Sequence, residues 1–168
     1  MSALAQADAR TSTLERAWAV FVARSILGLV YVFAGVHKLS DIGASEFGLR
    51  ASMQPDLLRV FPASVLTIAG MLTPFIELAL GVLVLAGFWT RQALRALAVL
   101  VVLVAAAWGV QGLFHPVGAT AMNISVVNFY LLPRVGLLVV LFLLPREDDL
   151  FSLDRLLRPS PWSAPASR

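Results

Sequence analysis

The chain has 168 residues, of which 59% are hydrophobic and 14% charged, with a formal charge of +3. Soluble domains carry about 25% charged residues, so the shortage points to lipid as the solvent. The absence of cysteine excludes a thiol–disulfide catalyst, a Cys-ligated iron–sulfur cluster and a thiolate zinc site, and no basic cluster interleaved with aromatics offers nucleic acid a footprint.

Residues 1–16 read as a cytoplasmic N-terminal segment. Four apolar stretches then approach or exceed the roughly 20 residues that cross about 30 Å of hydrocarbon: 17–39, 63–87, 93–114 and 124–144. The first is too long for a signal-peptide core and no small-x-small cleavage site follows it, so it reads as a helix that stays. The first connection, Ser40–Pro62, is the longest, and its second half from Pro55 to Phe61 has the character of a short interfacial helix with Pro at its start. The third connection, His115–Asn123, is uncharged and tight. Residues 145–168 read as a cytoplasmic tail, in which Leu150, Leu153 and Leu157 share one face of a short amphipathic helix before a Pro/Ser/Ala-rich, disordered end.

Orientation follows from the Lys and Arg near the helix ends. Eight lie at the termini and the second connection (Arg10, Arg16, Arg91, Arg95, Arg146, Arg155, Arg158, Arg168), against three in or beside the first connection (Lys38, Arg50, Arg59). The expected architecture is an all-α integral membrane four-helix bundle, N-in/C-in, in the cytoplasmic membrane of a prokaryote.

Ionisable groups inside a span are expensive and normally face the bundle interior. Arg24, Glu77 and Arg134 are such groups, and helical spacing gives each a stripe. Arg24, Gly28, Tyr31, Gly35 and Lys38 align on the first helix; Gly70, Thr73, Pro74, Glu77 and Gly81 on the second; Trp108, Gln111, Gly112 and His115 on the third; Asn123, Tyr130 and Arg134 on the fourth. Counted from the cytoplasmic ends, Arg24 falls about 10 Å deep and Glu77 and Arg134 about 15 Å deep, which predicts one buried charge cluster with Glu77 in salt-bridge reach of Arg24. Such a cluster serves either as a packing lock or as a site. Tyr31, Lys38, Thr73, Trp108, Gln111, His115, Asn123 and Tyr130 form the candidate ligand pocket around it, with the bland alternatives that Lys38 snorkels to the outer headgroups and that His37 and His115 are polar caps.

Arg24-x3-Gly28 continuing to Ala34-Gly35-x2-Lys38-Leu39 resembles the opening of DoxX-type membrane proteins. Pro74-x2-Glu77-x3-Gly81, with Leu83, Gly87 and Thr90-Arg91, is similar to that family's next block, and Asp149-x2-Ser152-Leu153-Asp154 to its ending. The resemblance implies a four-helix membrane bundle related to the DoxD subunit of thiosulfate:quinone oxidoreductase. It assigns no catalytic residue, and Arg24, Lys38, Glu77 and Arg91 carry over as motif positions alone. The related methylamine-utilisation membrane proteins often carry cysteines after the third helix, where this chain has Gly112-Leu113-Phe114-His115-Pro116.

Two functions are compatible with these residues. In the first the chain is a quinone-interacting membrane subunit of an oxidoreductase: Tyr31, Trp108 and Tyr130 face the ring, Arg24, Lys38 or His115 polarise its carbonyls, and Glu77 or a histidine moves the proton. No redox cofactor is encoded and no metal site is read, so electrons come from a partner protein; a second copy of the chain is the other partner this reading admits. In the alternative the chain is a non-catalytic scaffold or assembly factor whose buried charges fix helix packing. A small transporter fits less well, since no inverted repeat or discontinuous helix is visible.

Overall fold

The computed structural model describes residues 3–114, 131–144 and 149–157, with side chains at 11, 13–107, 131–144 and 149–157. Every regular element among them is helical: α1 (Ala3–His37), a π turn (Lys38–Ile42), α2 (Ala44–Ser52), α3 (Pro55–Leu58), α4 (Ala63–Ala86), α5 (Thr90–Phe114), α6 (Leu132–Leu143) and α7 (Leu153–Leu156). Among the described residues three stretches are long and apolar enough to cross a membrane, Thr13–Ile42, Ala63–Ala86 and Thr90–Ala107. The chain is therefore an all-α, multi-pass membrane protein. α6 has 12 residues, and the first part of the expected fourth span, 124–130, lies outside the described residues.

α1 begins far ahead of the apolar run that predicted it. Residues 3–16 hold no Gly or Pro and include four Ala, two Leu and two Arg, so nothing stops a helix nucleated in the span from propagating backwards. At 35 residues it is about 52 Å long, well beyond the hydrocarbon thickness. Its other end widens into the π turn and stops at Gly43, whose φ of 85° is left-handed.

α1 and α4 run antiparallel and touch backbone to backbone. A Cβ on Gly28 would meet Leu85 N at 2.8 Å, one on Gly35 would meet Leu78 N and Pro74 O at 2.8 Å, and one on Gly81 would meet Val32 N at 2.7 Å. Between helices in lipid no water is released on contact, so attraction comes from dispersion between closely approaching surfaces, which side chains here would hold apart. These contacts set the α1–α4 register. α2 is a second helix in the long first connection, beside the expected one at Pro55, and packs on the start of α4 through Gly48 and Gly70. The core lies between α1, α4, α5 and α6 and is built of Leu27, Val84, Leu94, Leu97, Leu138 and Leu141.

Candidate functional site

The α1–α4 register decides which polar groups meet. Gly35 lies opposite Leu78, so Glu77 sits beside the last turn of α1. Lys38, the first residue of the π turn, reaches back along the helix, and its Nζ donates to Glu77 Oε2 at 2.5 Å. Glu77 is 3% exposed and the Lys38 side chain 14%. Phe47 of α2 completes the enclosure, with its ring centroid 5.1 Å from Lys38 Nζ. A carboxylate and an ammonium in hydrogen-bonded contact cancel most of each other's burial penalty. The expectation that Lys38 snorkels outward is thus corrected: an anion lies within its reach inside the bundle.

Tyr31 and Arg134 stand beside this pair. The Arg134 guanidinium lies 5.0 Å from the centroid of the Tyr31 ring, and both residues are buried. With Glu77, Leu100, Val101, Val104 and Leu131 they line a partly open pocket of about 10 Å³, about the space of a single water molecule.

Arg24 belongs to a different level. One turn before Gly28, it has reached the α4–α5 turn: its Nη1 fills the space where Gly87 lacks a side chain, its Nη2 donates to Phe151 O at 2.8 Å, and its Nε is 3.9 Å from Asp149 Oδ1. From Arg24 to Gly35, the residue beside Glu77, α1 rises about 16 Å. The expected Arg24–Glu77 pairing is therefore replaced by Lys38–Glu77 and Arg24–Asp149. The depth count failed because it took the apolar run as the start of the bundle, whereas α1 extends past the α4–α5 turn by several turns.

Of the remaining pocket candidates, Thr73 bonds Ala69 O of its own helix at 2.7 Å and does not line the cavity. The side chains of Trp108 and Gln111, and all of His115, Asn123 and Tyr130, lie outside the described residues. His37 is paired with Asp41 at 2.5 Å on an exposed surface, the polar-cap arrangement.

The tail is the part of the site that helix patterning missed. Residues 149–157 fold back as a strap over the α4–α5 turn, where an amphipathic surface helix was expected; α7 is a single turn of four residues. Asp154 accepts from Trp89 N at 2.9 Å and Thr90 N at 3.1 Å, capping α5 from 64 residues away in sequence. Its own N–H donates to Gly87 O at 3.0 Å. Phe151 inserts between Trp18 and Phe21, with centroid distances of 5.1 and 5.5 Å. Arg91 donates to Leu144 O at 3.2 Å, closing the end of α6. The run Asp149-x2-Ser152-Leu153-Asp154 was the available signal, since Asp and Ser side chains favour helix N-caps and turns.

The glycine spacing, the Lys38–Glu77 pair and the turn into α5 all fall within residues 16–117, and that stretch, more than half of the chain, matches the family model of the methylamine utilisation protein MauE. The chain belongs to the MauE family. This overturns the resemblance to DoxX-type proteins. The small-x3-small and charge spacings that carried it are what close helix packing in lipid demands of any such bundle, and they do not distinguish one membrane family from another. Arg134 and the strap lie beyond the MauE match. Comparison with curated proteins and with solved structures returns no match.

Proposed function

We propose that this MauE-family protein is a non-catalytic membrane partner in a methylamine utilisation system, holding or assembling another component while its own buried charges fix the bundle. The observation that carries this reading is the Lys38–Glu77 contact, a buried ion pair closed on itself and roofed by Phe47. The neighbouring cavity, at about 10 Å³, is far smaller than a quinone ring. The chain has no thiol with which to exchange disulfides with a client. The excess of Lys and Arg at the termini and second connection supports an N-in/C-in orientation in the cytoplasmic membrane of a prokaryote, with α6 and the residues before it as a fourth span.

Quinone binding is the second reading, favoured by the meeting of Tyr31, Glu77 and Arg134 around one cavity. Purification in mild detergent, followed by lipid extraction and identification of copurifying chains, separates the two. A stable partner chain without quinone is the expected result. Stoichiometric quinone, lost on Glu77→Gln, overturns the scaffold reading.

A further inference from the structure

Among the described residues, the buried side-chain polar atoms that lack a hydrogen-bond partner are Arg24 Nε and Nη1, Thr90 Oγ1 and Asp149 Oδ1. All four lie at one place, the junction between the strap and the α4–α5 turn. A buried donor or acceptor left unmade is costlier than an ordinary protein hydrogen bond is stabilising, so the junction is under-satisfied where the rest of the described interior is not. The backbone there is also unusual. Gly87 ends α4 at φ 70°, and Trp89 sits at φ 48°, a left-handed conformation that a bulky L-residue rarely adopts. It is held there with its N–H on Asp154 and its ring stacked 5.4 Å from Phe88.

The groups beneath the strap share one chemistry. Arg24 is a cation 1% exposed, and Trp89 and Thr90, at the entry to α5, offer two N–H groups with the positive end of a 25-residue helix behind them. The carboxylate of Asp154 already occupies those N–H groups. The strap is attached through the Phe151 ring and carbonyl, the Asp149 and Asp154 carboxylates and the Asp154 N–H, while Leu153, Leu156 and Leu157 are exposed.

We propose that residues 149–157 are a releasable strap, an independently opening segment that covers the α4–α5 turn and holds its Asp154 carboxylate on the Trp89 and Thr90 N–H groups and its Phe151 carbonyl on Arg24. Opening uncovers a guanidinium and two helix N-terminal N–H groups at the end of the bundle that carries the α4–α5 turn; it leaves the α1–α4 contact and the Lys38–Glu77 pair untouched. A separately opening unit of this kind is expected where backbone is held by few buried contacts.

The chain has no cysteine, so a single introduced thiol reports the strap without background. Ser152 is 4% exposed and nearly isosteric with Cys, whereas Leu156 is 78% exposed. In the full-length protein in nanodiscs, Ser152→Cys should react with a maleimide at least tenfold more slowly than Leu156→Cys. Adding Asp154→Ala removes the cap on α5 and should speed Ser152→Cys labelling about five- to tenfold, the effect of losing a typical N-cap. Arg24→Gln should act in the same direction, and Arg24→Lys, which keeps the charge, less. The helical circular dichroism signal should stay unchanged while labelling proceeds. The proposal fails if Ser152→Cys labels as fast as Leu156→Cys, if Asp154→Ala leaves its rate unaltered, or if labelling rises only where helical signal is lost.

Discussion

Lys38 and Glu77 are 39 residues apart in sequence and joined by a 2.5 Å contact that crosses from the π turn of α1 to the middle of α4. Helical side chains lean toward the N-terminus of their helix, so Lys38 runs back along α1, toward a carboxylate that has no other ion-pair partner among the described residues.

Breaking this pair from either side leaves a buried charge uncompensated. Glu77→Gln and Lys38→Met should each lower the thermal unfolding temperature in detergent, by an amount equivalent to about 3–5 kcal/mol if lipid-embedded pairs behave as those in soluble cores do. The double variant should lose less than the sum of the two. Additive losses in the double-mutant cycle would show that the residues are uncoupled. Arg24→Gln combined with Glu77→Gln should be additive, because the two side chains sit at levels about 16 Å apart along α1.

Gly35→Ala places a methyl 2.8 Å from Pro74 O and Leu78 N, backbone atoms of a helix that cannot give way locally. The helices must separate, and overpacking of this kind is destabilising by about 1–3 kcal/mol. Gly136→Ala is the matched control, since a Cβ there meets nothing within 4 Å. Thermal unfolding of the two variants side by side should show a loss for Gly35→Ala alone.

Burial on closure of the strap raises the Asp149 carboxyl above its ordinary range; Arg24 opposes the rise less than burial drives it, and the nearby Asp154 adds to it. The closed strap therefore binds the Asp149 proton more tightly than the open one. As pH falls from neutral through the raised value toward 3.8, the penalty of an ionised, buried Asp149 is relieved and the closed form gains. Ser152→Cys labelling, normalised to Leu156→Cys at each pH, should slow on acidification. Asp149→Asn should flatten that dependence. A relative rate that climbs as pH falls over this window would reverse the assignment, making the Arg24 charge the stronger influence on Asp149.

Orientation is tested by reporters. One fused after Arg158 should be active only on the cytoplasmic side and one inserted near Ser45 only on the opposite side. Both on one side would require an odd number of crossings.

Residence in lipid, the apolar spans, Gly28, Gly35 and Gly81 as contact positions, and Arg24, Glu77 and Arg134 as interior groups were all legible along the chain, because each is a matter of local composition and a 3.6-residue period. Pairing was not legible. Helical spacing tells which face a residue occupies but not the height at which another helix passes it. Arg24 and Glu77 therefore looked like neighbours while Lys38 looked like a surface group. Family membership was obscured for a related reason: the glycine and charge spacings are imposed by packing in a bilayer and recur across unrelated families.

By itself the sequence determined that this chain is helical and crosses a membrane, since hydrocarbon leaves a backbone no other local way to satisfy its hydrogen bonds. It also determined which side chains are too costly to face lipid. The tertiary structure alone decided that Lys38 turns inward to Glu77, that Arg24 sits under the α4–α5 turn, and that Asp154 caps a helix that begins 64 residues earlier. Those outcomes depend on the α1–α4 register and on the fold-back of the tail. Both are set by backbone contacts between segments distant in sequence, where a shift of one helical turn would exchange every partner.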